Sequence, residues 1–78
     1  MAQYVSMKLA VGWKIRELRL TNTMTQVELA RRVRSSQSRI AKMESGDPGI
    51  SLDLLVRTVL ALGASQDQVA RFLMHKRA

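Results

Sequence analysis

The 78-residue chain contains no cysteine, which excludes a disulfide framework and thiolate metal binding and suits a reducing cytoplasm. Its single histidine, His75, stands near the end without a second histidine or a carboxylate cluster, so it reads as a solvated residue rather than a ligand or catalyst. No apolar run approaches the ~20 residues that span a bilayer, and the N-terminus has no basic-then-apolar signal pattern. A soluble, cytoplasmic protein with no membrane partner is expected. Carboxylates are also scarce: there are six, and Glu28, Glu44, Asp53 and Asp67 are explained as helix caps or ion-pair partners. No catalytic constellation remains, so no enzymatic activity, cofactor or metal is expected. Residues 1–78 make one small domain, with 1–6 expected as a flexible tail. That length is too short for a large enzyme cleft but adequate for an all-α bundle of about five helices.

What the chain has in excess is positive charge, with thirteen Lys and Arg against six Asp and Glu and a net charge of +7. Such a balance implies a polyanionic partner. The charge is unevenly placed: from Arg31 to Lys42 the basic residues Arg31, Arg32, Arg34, Arg39 and Lys42 occur with no acidic one. An isolated charge run usually marks a solvated face, but this one coincides with a helical motif that has the residues for reading DNA.

That motif runs from Met24 to Gly46. Thr25 stands before an apolar pattern and Glu28 follows three residues later, a capping box in which each side chain satisfies the other's orphan backbone donor. A helix therefore begins at Gln26, with Leu29, Ala30 and Val33 on its inner face. The run Arg34, Ser35, Ser36 interrupts the pattern, and Ser36 is the N-cap of the next helix. From Gln37 that helix buries Ile40 and Met43 and exposes Gln37, Ser38, Arg39 and Lys42. Gly46 ends it. Gln pairs with an adenine edge in two bonds, Lys reaches guanine acceptors and Ser is permissive, so the exposed face suits base reading. Gln26, at the start of the preceding helix, is placed for a phosphate. The arrangement is a helix-turn-helix.

On these residues the segment resembles the Xre, or phage repressor and Cro-like, family of helix-turn-helix DNA-binding proteins, whose fold is the lambda-repressor-like domain. The matching residues are Thr25-Gln26, Glu28-Leu29-Ala30, Ser36-Gln37-Ser38, Ile40, Glu44 and Gly46, with Leu55, Val59, Leu62 and Gly63 downstream. The match covers Ile15 to Phe72. The resemblance implies that Gln37, Ser38 and Lys42 read bases, that Gln26 clamps a phosphate and braces Gln37, and that Ser36 and Ser45 contact the DNA backbone. Arg34 and Arg39 are expected to add phosphate contacts. The resemblance further implies an ion pair between Arg19 and Glu44, joining the first and third helices. Two positions depart from the pattern, since Thr23 and Arg34 stand where the family usually has Gly. A positive φ costs a non-Gly residue about 1 kcal/mol or more, so these departures predict either turns in which Asn22 or Ser35 takes the left-handed position or an Arg34 that accepts local strain for an extra phosphate contact.

The remaining segments read as scaffold. Met7 to Thr21 forms a first helix whose Val11, Ile15 and Leu18 face the core. Leu9, Trp13 and Leu20 form a second stripe on the same helix, and two readings of it stand side by side. Either Trp13 covers the edge of the core or packs on the N-terminal tail, or the stripe is a partner-binding surface. The loop Gly46 to Ile50 holds the only proline. Ser51 caps a fourth helix carrying Leu52, Leu55, Val59 and Leu62, which Gly63 stops. Ser65 and Gln68 form another capping box, opening a last helix with Val69, Phe72 and Leu73. In the family a two-fold interface often involves this region, so a homodimer through Leu60, Val69, Phe72 and Leu73 is expected, the alternative being a monomer whose last helix closes the core.

The function implied is a sequence-specific DNA-binding transcriptional regulator, most simply a dimeric repressor of its own operon on a pseudo-palindromic operator in double-stranded DNA. The stretch GDPGISLDLLVRTVLALGA resembles the antitoxin half of a toxin-antitoxin operon of the host-inhibition-of-growth type, which implies a toxin protein as partner, with prophage repressors and restriction-modification controllers as the competing kinds of regulator. The competing reading is a protein-binding adaptor that keeps the fold without reading DNA. The exposed Gln37, Ser38 and Lys42 speak against it, because an adaptor has no need of that trio on a basic face.

Overall fold

Four of the five helices stop in the same way, and the stops set the shape of the motif. The structure is a computed structural model that describes the backbone of residues 2–75 and the side chains of residues 7–71. Along the chain it contains α1 (Ala2–Thr21), α2 (Gln26–Arg32), α3 (Gln37–Glu44), α4 (Leu52–Ala61) and α5 (Gln66–His75), with no strand among the described residues. The all-α bundle of five helices is as the sequence predicts. Its first helix is longer than the pattern marks, since residues 2–6, expected as a flexible tail, continue α1.

At the end of α1 the Thr23 N–H donates to Leu20 O and the Met24 N–H to Arg19 O, both at 3.0 Å. The same pair of bonds recurs after α2 (Arg34 to Arg31, Ser35 to Ala30), after α3 (Gly46 to Met43, Asp47 to Lys42) and after α4 (Gly63 to Leu60, Ala64 to Val59). This is the Schellman motif, which satisfies the last free carbonyls and requires its central residue to be left-handed. Gly46 and Gly63 meet that requirement with φ of 77° and 100°. Thr23 and Arg34 meet it at 55° and 56°, without the freedom of glycine. The left-handed position thus lies at Thr23 and Arg34 and not at Asn22 or Ser35, and Arg34 carries the local strain that is the alternative for its turn. The bond pattern fixes which residue occupies it, and Asn22 instead sends its Nδ2 to Leu18 O at 2.7 Å. Thr23→Gly should therefore raise stability by about 1 kcal/mol, the left-handed penalty less the added unfolded-chain entropy. A urea midpoint equal to or below wild type would show that the turn carries no such strain.

The helix starts follow the sequence. Thr25 and Glu28 close a reciprocal box at 3.0 and 2.7 Å, and Ser65 and Gln68 close another at 3.1 and 2.8 Å. Ser36 and Ser51 each accept from the backbone N–H three residues on. These caps set the helices around one core of Val11, Ile15, Leu29, Ala30, Val33, Ile40, Met43, Ile50, Leu55, Val59, Leu62, Ala64 and Val69. Burying each large aliphatic side chain contributes about 1.5–3 kcal/mol. Because α2 and α3 send their inner faces into that core, their outer faces are turned outward as a unit.

Two close approaches lock α1 onto this unit. A Cβ on Gly12 would lie 2.1 Å from the Met43 carbonyl oxygen, so the α1 and α3 backbones touch there. Lys8, buried at 3 % exposure, donates from Nζ to Pro48 O at 2.7 Å and ties α1 to the α3–α4 loop.

Candidate nucleic-acid interface

The outer face of α3 collects the residues that the sequence assigns to base reading. Ile40 and Met43 are fully buried, and Gln37, Ser38, Arg39 and Lys42 are exposed. At 100° per residue, Gln37, Ser38 and Lys42 span an arc of about 140°, the breadth a helix can present to a groove. Ser36, at the helix start, accepts from the Arg39 N–H at 3.1 Å, which leaves its hydroxyl proton free to donate outward. Ser36, Ser38, Arg39 and Lys42 line one polar hollow between α3 and the loop residues Asp47, Gly49 and Ile50. Asp47 does not offer a fully free carboxylate there, because its Oδ1 accepts from the Gly49 N–H at 2.7 Å.

Gln37 lines a different hollow, together with Gln26, Arg19, Leu20, Thr23, Met24, Thr25 and Val27. Gln26 and Gln37 are therefore neighbours, but among the described residues no hydrogen bond joins them. The Gln26 Nε2 donates instead to Glu44 Oε1 at 3.2 Å. Arg34 and Ser45 line neither hollow. Arg34 is exposed in the α2–α3 turn, and the Ser45 hydroxyl donates to Lys42 O at 3.0 Å, closing the end of α3.

Glu44 is where the site meets the scaffold. Arg19 Nε donates to its Oε2 at 2.6 Å and Arg19 Nη2 to its Oε1 at 3.0 Å, a bidentate fork between α1 and the end of α3. Arg19 Nη1 continues to Met24 O at 2.9 Å, in the link before α2. The bond to Glu44 raises the guanidinium pKa above its ordinary value, against the opposing effect of burial. The guanidinium is therefore charged at neutral pH, and the stability linked to its raised pKa is present below its ordinary value and lost as strong alkali carries the pH through the raised one. With Gln26 as third donor, Glu44 holds α1, α2 and α3 in one register. Glu28, fully exposed, has its pKa lowered chiefly by the Thr25 backbone N–H, so its capping contribution is full at neutral pH and lost as acid protonates it.

The other expected site residues divide. Leu9, Trp13 and Leu20 are all exposed, at 43 %, 71 % and 55 %. Trp13 therefore does not cover the core. Of the expected dimer residues, Leu60 is exposed, but Val69 is in the core at 8 % because α5 turns that residue inward. The side chains of Phe72 and Leu73 lie outside the described residues.

Some contacts that hold the site escaped sequence reasoning. Gly12 interrupts a good helical pattern, and a glycine there was a legible sign of close packing. Arg57 on α4 donates from Nη2 to Val33 O at 3.1 Å, clamping the end of α2 beside the Arg34 turn. Nothing in local sequence marks that bond. Among the described residues no group of His, Cys, Asp and Glu could hold a metal, and no helix is long and apolar enough to cross a membrane.

Residues 10–72 match the model of the helix-turn-helix domain family. A protein of Mycobacterium tuberculosis (strain ATCC 25618 / H37Rv) named "Putative antitoxin HigA2" is 37% identical over 61 residues, which are 77% of this chain and 60% of that protein. The chain thus spans less than two thirds of that relative's length. No solved structure matches it.

Proposed function

Since the chain belongs to the helix-turn-helix domain family, we propose that it is a sequence-specific DNA-binding regulator that reads the major groove with α3. The observation that carries this reading is the exposed trio Gln37, Ser38 and Lys42 on the outer face of a helix whose inner residues Ile40 and Met43 are fully buried. Gln26, Ser36, Arg34 and Arg39 fix register on phosphates, Ser45 adds a contact at the end of α3, and the trio selects sequence. The relative's name supports the antitoxin reading, and in that role the chain would repress its own operon and bind a toxin. A two-fold pair of chains would read half-sites about 34–36 Å apart, and of the expected dimer residues Leu60 is the one with an exposed described side chain.

Substitution separates the two kinds of contact. Gln37→Ala should lose about 1–3 kcal/mol on the cognate duplex, relaxing specificity at one base pair with little change on random DNA. Arg39→Ala should weaken every duplex alike and lower the salt slope by about 1. Equal losses on cognate and random DNA for both variants, measured by fluorescence anisotropy, would refute the assignment.

A further inference from the structure

The outer face of α1 carries a feature that DNA reading does not use. Leu9, Trp13, Arg16 and Leu20 recur at spacings of four, three and four and fall within about 60° of one another at 100° per residue. That is the seam against which another helix packs. All four are exposed, Trp13 at 71 %. Leu20 lines the hollow beside Trp13 and also the hollow that holds Met24, Val27, Gln26 and Gln37. One apolar strip therefore runs along α1, over the turn before α2, and ends at the first base-reading residue.

We propose that this strip is the docking surface for an acidic amphipathic helix of another protein, and that its occupation excludes DNA. Charge selects the occupant. Arg16 lies within the seam with no hydrogen-bond or ion-pair partner among the described residues, while Glu17, the nearby carboxylate, is bridged to Lys14 at 3.0 Å. The strip is left net positive on a chain of net charge +7, so a carboxylate opposite Arg16 completes the seam. A second copy seated strip on strip would set another Arg16 in the same seam, and like charge there disfavours it. Apolar anchors for Trp13 and Leu20 supply affinity, and the acidic flank supplies choice of partner. Exclusion follows from continuity, because a helix seated along Leu20, Met24 and Val27 covers the approach to Gln26 and Gln37. The exclusion rests on the DNA-reading assignment above, but docking does not.

Trp13 is the only tryptophan, so its emission reports the strip directly. The probes are a heptad peptide with Leu at a and d and Glu and Gln elsewhere, a twin with Lys replacing Glu, and a scrambled twin of the acidic peptide. The acidic in-register peptide should shift Trp13 emission to the blue and release labelled duplex. Leu20→Ser should weaken the peptide by about tenfold or more. Trp13→Ala should still bind duplex normally but resist its release, which distinguishes docking from simple competition by a polyanion. No emission shift, or an equal shift with either twin, overturns the proposal. A shift produced by raising the protein concentration alone overturns it in favour of a second copy. A shift without release of duplex overturns exclusion only.

Discussion

Glu44→Ala should lose about 3–5 kcal/mol of stability, a large share of the roughly 4–12 kcal/mol that a domain of this size possesses. The loss does not measure the worth of the ion pair. Arg19 is only 9 % exposed, and removing its partner leaves a guanidinium in a space from which water is largely excluded. Two of its nitrogens lose their acceptor at once, and Gln26 loses its own. Losing Glu44 removes what raised the Arg19 pKa and leaves only the opposing effect of burial, yet an arginine still stays protonated at neutral pH, so the charge remains without a partner. Replacing both partners with apolar residues of similar size, Arg19→Met with Glu44→Leu, should be close to neutral for stability. That double variant should still bind DNA less tightly, because Gln26 loses the carboxylate that positions it. Urea unfolding of Arg19→Met, Glu44→Leu and their double variant gives the coupling directly. A loss below about 1 kcal/mol for Glu44→Ala would mean that the pair is solvated and does not join the helices.

Gly12→Ala should lose about 3 kcal/mol, although the same change in a free helix gains about 1 kcal/mol. The new methyl would stand 2.1 Å from the Met43 carbonyl oxygen and 3.2 Å from its carbon, where no side chain can swing aside to relieve it. Relief requires α1 to move off α3 by about 1 Å, which opens the packing around Ile15 and stretches the Arg19 fork. Since both effects act on one interface, Gly12→Ala and Glu44→Ala should not be additive. Thermal unfolding decides the sign: a melting temperature at or above that of wild type would show that the two helices do not make this contact.

The local part of the fold was legible because short-range chemistry decides it. Thr25 with Glu28, Ser36, Ser51, and Ser65 with Gln68 each satisfy amides within three residues, so the sequence marks these helix starts without help from packing. The stops at Gly46 and Gly63 were legible for the same reason. Thr23 and Arg34 were not, because their φ is imposed by a six-residue bond pattern that overrides the preference of the side chain. Contacts between distant residues escaped local reading altogether. Arg57 reaches Val33 across 24 residues and Lys8 reaches Pro48 across 40, and only the packing of whole helices brings them together. The pairing of Arg19 with Glu44 came from family resemblance, since 25 residues separate them and no spacing rule connects them. Val69 shows the converse limit: an apolar residue on a last helix reads equally as core or as interface, and here it is core.

The most direct measurement is a fluorescence-anisotropy titration of the full chain with duplex from immediately upstream of its own gene, and with a scrambled duplex of equal composition, from low to high salt. Recognition by the α3 trio predicts that the native sequence is bound about a thousandfold more tightly or better, and that the gap persists as salt rises. If both duplexes bind alike and both are released together by salt, the basic face is only an electrostatic surface, and α3 is not a reading helix.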